Sequence, residues 1–157
     1  MYDAIVLGTG GVGSAALFQV ARRGARVLGL DRFSPPHDRG SSHGQTRIIR
    51  QAYFEHPDYV PLLLRAYELW EELSHIAGEQ LYHETGLLQV GPRDGVVLRG
   101  VLESARRHAL DVDQLPAAEI LSRFPGFCAN KDWQGVLEHR AGYLLVERCV
   151  QAHLDAA

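Results

Sequence analysis

Two groups of residues in this chain have the types and spacing to do chemistry. The first is the stretch "GTGGVG", which sets Gly8, Gly10 and Gly13 in the order G-x-G-x-x-G. In that order Gly8 permits a tight turn, Gly10 lets backbone approach a pyrophosphate, and Gly13 lets a helix pack close against a strand. A helix opening there offers unsatisfied N–H groups and a partial positive charge to phosphates. Asp31 follows at the end of a second apolar run, where its carboxylate can accept hydrogen bonds from both hydroxyls of a ribose. The second group is Arg47 and Arg50 in "SSHGQTRIIRQAY", two permanent cations around a pair of isoleucines. A guanidinium among apolar residues requires an anion, because a buried unpaired charge is costly. That anion is either a ligand carboxylate or a neighbouring Asp or Glu.

These residues need elements to hold them. "DAIVLG", residues 3–8, is a short apolar run of the kind found in buried parallel strands. "SAALFQVARRG" predicts a helix that ends at Gly24, and "ARVLGLD" a second buried strand that ends at Asp31. Strand, glycine turn, helix and strand make a βαβ unit, and the acid sits at its tip. Together these features point to a dinucleotide site, with a purely structural turn as the alternative. An acid at position 31 disfavours the 2′-phosphate of NADP through like-charge repulsion, but does not separate FAD from NAD.

Residues 32–52 read as irregular. A helix is predicted over residues 56–78, with Leu63, Tyr67, Trp70, Leu73 and Ala77 on its apolar face. "LYHET" and "GLLQVG" predict two strands around a tight turn near Gly86, and "GVVLRGVLESARRHAL" an amphipathic helix whose charge cluster faces solvent. A short extended piece, "DVDQL", leads to a helix opened by Pro116, then a strand, a turn and a last helix. That helix runs to Ala157 without a glycine cap or following strand, so the sequence reads as the N-terminal part of a longer protein.

The balance of 16 Lys and Arg against 19 Asp and Glu is too even to imply nucleic acid or an anionic membrane as partner. No apolar run approaches the ~20 residues of a membrane span. Cys128 and Cys149 form neither a disulfide framework nor a zinc motif, which fits a reducing, cytoplasmic compartment.

The segment "DRFSPPHDRGSSHGQTRIIRQAY" resembles monomeric sarcosine oxidase and N-methyl-tryptophan oxidase, flavoenzymes of the D-amino-acid-oxidase-like group. The pieces "PPH", "SSHG" and "TRIIR-AY" occur in family order. "YVPLLLRAYELWEEL", "TGLLQVGP" and "AGYLLVERCVQAH" continue the likeness along essentially the whole chain. The resemblance implies an α/β fold: a Rossmann-like FAD-binding domain with part of an α+β substrate domain, in an incomplete chain. Residues 1–80 would open the FAD-binding domain, 81–140 belong to the substrate domain, and 141–157 return to the first.

The implied activity is oxidation of a secondary amine on an amino acid, with FAD as cofactor and oxygen as acceptor, by a protein that is a monomer at full length. The implied catalytic set is Arg50, Arg47, His43 and Tyr53. Arg50 would grip the substrate carboxylate, Arg47 and His43 would lie near the flavin ring, and Tyr53 would line the substrate site. The implied cofactor set is Gly8, Thr9, Gly10, Gly11, Val12, Gly13, Asp31, Arg32, His37, Ser41, Ser42, His43, Thr46 and Arg47. Other readings stay open on the residues alone. His37 and His43 also suit loop roles, and the glycine turn equally serves an NAD-dependent dehydrogenase or a non-catalytic dinucleotide-binding module. Leu17 and Gln45 depart from the family pattern, and neither cysteine matches the one that tethers the flavin.

Overall fold

Strand β1 (Ala4–Leu7), helix α1 (Gly11–Ala21) and strand β2 (Val27–Leu30) form the expected unit, in a computed structural model that describes residues 1–127 and 130–157. The two strands pair in parallel, from Ala4 opposite Val27 to Leu7 opposite Leu30. The rest of the chain adds β3 (Arg47–Ile49), α2 (Val60–Ala77), β4 (Tyr82–Glu84), β5 (Leu87–Pro92) and α3 (Val96–His108). It then continues through β6 (Val112–Pro116), α4 (Ala117–Arg123), β7 (Trp133–Glu138), β8 (Gly142–Leu144) and α5 (Val146–Ala156). The chain divides into two units. The first comprises Met1–Arg47, Leu69–His83 and Tyr143–Ala157, and the second Ile48–Glu68 and Glu84–Gly142.

In the first unit α1 packs on β1, β2 and α5. Close packing is possible because residue 13 is glycine: a Cβ there would lie 1.7 Å from the Gly8 carbonyl oxygen. Leu17, the bulky departure on α1, is buried over Gly29 of β2, where a Cβ would stand only 3.0 Å from a Leu17 methyl carbon. A missing side chain on the strand therefore makes room for the large one on the helix. On β1, Ala4 and Val6 are partly covered by the rest of the unit. Side chains alternate along a strand, and Ile5 and Leu7 remain 58% and 79% exposed. From α5, Cys149, Val150, Ala152 and His153 are buried, and the His153 ring lies 5.8 Å from that of Phe18 and 5.3 Å from that of Trp70.

The second unit is built on an antiparallel sheet in the order β5-β7-β6, with Leu87 and Val112 both opposite Glu138. Its core joins Leu98 and Val101 of α3, Val136 of β7, and Ala52. Burial of the Leu98, Val101 and Val136 side chains stabilises by roughly 1.5–3 kcal/mol each. Gly100 lets α3 approach the segment after Arg50: a Cβ there would lie 2.1 Å from the Phe54 carbonyl oxygen.

Three expectations change. Residues 47–49, read as irregular, form β3 in a sheet of order β3-β8-β4. β4 and β5 do not make a hairpin with each other: β4 belongs to that sheet and β5 pairs with β7. The Thr85 and Gly86 amides both donate to the Ala141 carbonyl, which holds the bend between the two strands. Pro116 ends β6 and caps α4 rather than standing inside the helix. Cys128 lies outside the described residues.

Candidate functional site

The first unit brings the glycine turn, Asp31 and the following loop together. Gly8 adopts a left-handed φ of +84°, and its N–H donates to the Leu30 carbonyl at 2.7 Å. This fastens the turn to the end of β2. The next residue makes the second fastening: the Thr9 N–H donates to Asp31 Oδ2 at 2.7 Å, and its hydroxyl to the same oxygen at 3.2 Å. On the other carboxylate oxygen, the Phe33 N–H donates at 3.2 Å and His37 Nε2 lies at 3.2 Å. The Thr9 amide first, then the Phe33 amide, hold the Asp31 carboxyl well below the usual carboxylate range, and His37 adds to the effect. A carboxylate has about four lone-pair positions, and local groups engage all of them here.

α1 opens with no side-chain cap on Gly10 and no acid in its first turn, so its positive end is not neutralised from within. The Gly11 N–H donates to Ser42 Oγ at 3.0 Å. Ser42 thus stands where an acceptor at the helix N-terminus is expected. Between the glycine turn and the loop lies a cleft of about 350 Å³, lined among others by Gly10, Asp31, Pro36, His37 and Ser42. Its acid, as acceptor for ribose hydroxyls, and its glycine amides and helix end, as donors to phosphate, suit the ADP half of a dinucleotide, so the residues present fit FAD. Val12 and Arg32 are exposed beside these groups, and the Arg32 guanidinium lies 5.5 Å from the Phe33 ring centre.

The remaining loop residues hold one another. His43 Nδ1 lies 2.5 Å from the Gly40 carbonyl oxygen. Arg47 donates from Nη2 to the Ser41 carbonyl at 2.7 Å and from Nη1 to the Thr46 carbonyl at 2.8 Å. Glu147 of α5 accepts the Gly44 N–H at 2.8 Å. His43, Thr46 and Arg47 are all exposed.

Arg50 and Tyr53 come together in the second unit. The Arg50 guanidinium lies 4.4 Å from the Tyr53 ring centre, a cation–π arrangement that fixes its plane. Its Nη2 reaches Glu55 Oε1 at 3.3 Å, and its buried Nε has no hydrogen-bond partner among the described residues. Sequence reasoning missed the group that holds this segment. Glu138, 1% exposed, accepts the Gln51 and Ala52 amides at 2.5 and 3.1 Å. A signal was available: in "WQGVLE" an acid occupies the same strand face as buried Val136, and a buried acid needs donors.

A family model for FAD dependent oxidoreductases matches residues 3–157 of the chain. The chain belongs to the FAD-dependent oxidoreductase family. Within that family it is 48% identical over 156 residues to a monomeric sarcosine oxidase of Streptomyces avermitilis, across 99% of this chain and 41% of that protein. It is 41% identical over 155 residues to an N-methyl-L-tryptophan oxidase of Yersinia pestis, across 99% and 42%. Among solved structures it resembles NikD, an unusual amino acid oxidase essential for nikkomycin biosynthesis, at TM-score 0.86 and 31% identity over 99% of this chain and 40% of that one. The chain spans about two fifths of the length of the curated relatives it matches. No helix among the described residues is long and apolar enough to cross a membrane.

Proposed function

We propose that this chain carries the flavin-binding and carboxylate-gripping parts of an FAD-dependent oxidase acting on the secondary amine of an N-methyl or cyclic amino acid. In this reading the first unit holds FAD and the second contributes part of the substrate domain. The glycine turn, residues 8–13, receives the pyrophosphate. Asp31 would hold the ribose, in place of its long contacts to the Thr9 hydroxyl and His37. Arg32, Ser41, Ser42, His43 and Thr46 line the cofactor, and Arg47 sets positive charge beside it. Held by these residues, the flavin would supply two-electron oxidation of the amine to an imine, with oxygen as final acceptor giving hydrogen peroxide.

The single observation that carries the substrate side is the state of Arg50. It is a half-buried guanidinium with a long contact to Glu55, a buried Nε without a hydrogen-bond partner among the described residues, and an aromatic face beneath it. A planar fork so held suits a carboxylate, which it grips bidentately. Gripping the acid end of an amino acid fixes where its amine lies, and positioning of this kind lowers the barrier to reaction. Tyr53 backs the fork and borders the substrate. The full-length protein works as a monomer in the cytoplasm.

The test is to purify the full-length gene product and look for bound FAD and for peroxide formed from sarcosine, N-methyl-tryptophan and a cyclic imino acid. A colourless protein that reduces NAD instead would overturn the reading.

A further inference from the structure

The second unit contains a buried acid that the proposed chemistry does not use. Glu138 extends from the end of β7 with 1% of its surface exposed. Its two oxygens accept hydrogen bonds from consecutive backbone amides, Gln51 at 2.5 Å and Ala52 at 3.1 Å, across 87 and 86 residues of chain. The next residue is also held by a distant side chain: the Ser104 hydroxyl of α3 donates to the Tyr53 carbonyl at 2.5 Å. Three successive residues after Arg50 are therefore pinned by side chains from β7 and α3. Arg50 in turn lies over the ring of one of them, Tyr53.

An ordinary core would put an apolar side chain at position 138, as it does at Val136 on the same face. Removing a carboxylate from water is costly, and among the described residues its bonds come from the Gln51 and Ala52 amides. Burial pushes the Glu138 carboxyl up, while the two amides and the nearby charge of Arg50 oppose that rise. The Arg50 charge is thus close enough to act on Glu138, yet the carboxylate's lone pairs are aimed at backbone. Glu138 therefore does not occupy the guanidinium, whose one ion-pair contact among the described residues is the long one from Nη2 to Glu55 at 3.3 Å.

We propose that Glu138 is a positioning residue: it fixes the backbone immediately after Arg50 and so aims the guanidinium at the substrate carboxylate. The inference rests on the reading of Arg50 as the carboxylate clamp, and it adds the group that sets the clamp's direction. Substrate affinity then depends on a residue that never touches substrate. Loss of Glu138 weakens binding of any carboxylate at the site, while the rate at saturating substrate changes less.

The test uses the full-length gene product with FAD bound and acetate as probe, a carboxylate with no amine, followed by the perturbation of flavin absorbance. Glu138→Gln is expected to retain FAD and to raise the acetate Kd about tenfold or more, with KM for an N-methyl amino acid rising in parallel. Glu138→Asp, which keeps the charge but retracts it by one methylene, is expected to move both constants the same way by a smaller factor. Either variant, holding FAD and binding acetate as tightly as the wild type, overturns the proposal. Should Glu138→Gln fail to fold, Glu138→Asp decides. In the wild type, rapid hydrogen exchange at the Gln51 and Ala52 amides also overturns it. Arg50→Ala separates the two ideas. Unchanged acetate affinity there refutes the clamp itself, whereas weakened affinity there with normal Glu138 variants refutes only the role of Glu138.

Discussion

The Thr9 amide donates to the Asp31 carboxylate at 2.7 Å, and this bond ties the glycine turn after β1 to the tip of β2. The acid that would receive a ribose also holds the loop that would receive a pyrophosphate. Asp31→Asn keeps the shape but removes the charge and replaces one acceptor oxygen with an amide. Its affinity for FAD, measured by flavin fluorescence in the full-length gene product, is expected to fall about tenfold or more. An unchanged affinity would remove Asp31 from the site.

Helix and strand in the first unit fit through one pair, Leu17 and Gly29. A Cβ at position 29 would stand 3.0 Å from Leu17 Cδ2 and 2.9 Å from Thr9 Cγ2. Gly29→Ala is expected to destabilise by about 1–3 kcal/mol through overpacking. Adding Leu17→Ala makes space, so the double variant should depart from additivity by about 0.5 kcal/mol or more in denaturant titrations. Strict additivity would mean that the two residues do not share this contact.

Much of this fold is legible in the residues themselves. β1, α1 and β2 follow from a local pattern: apolar runs, three glycines at fixed offsets, and an acid at the tip. α2 and α3 follow from helical periodicity. Strand partners are another matter. "LYHET" and "GLLQVG" read as a hairpin because they are neighbours in sequence, yet β5 pairs with β7, far along the chain. Local sequence does not encode that choice, which is made by long-range packing. The site divides in the same way. The glycine motif and arginines announce themselves by type and spacing, whereas Glu138 acts through backbone amides 86 and 87 residues away.

His153 makes the first unit acid-sensitive. Burial pushes its imidazole down from 6.5 to about 4, and the nearby Cys149 backbone opposes the shift. Between those values the unfolded chain binds a proton that the folded chain does not. The contribution of His153 is therefore complete above about 6.5 and is lost as pH falls towards 4. The loss is on the order of 2 kcal/mol once solvent screening is allowed for. Melting temperature against pH should fall over that window, and His153→Leu should flatten the slope. An identical slope in the variant would show that other groups set it.

Cys149 is buried 3% exposed, and burial, with the charge of Glu79, pushes its thiol up to about 12. Since the thiolate is the nucleophile, alkylation of Cys149 in the native protein at neutral pH should be about a thousandfold slower than after unfolding, the factor of a shift from 9.0 to about 12. Peptide mapping reads this site separately from Cys128. Rapid native labelling would contradict the burial described.

On the proposed function, the Arg50 guanidinium holds the carboxylate of an amine substrate of a flavin oxidase. This is tested most directly by anaerobic titration of the FAD-loaded full-length gene product, and of Arg50→Ala, with an N-methyl amino acid while the flavin colour is followed. The wild type should bleach at low substrate, and the variant should need at least about thirtyfold more for half-maximal reduction. Equal half-saturation in the two proteins, or a wild type that no such amine reduces, would contradict the account.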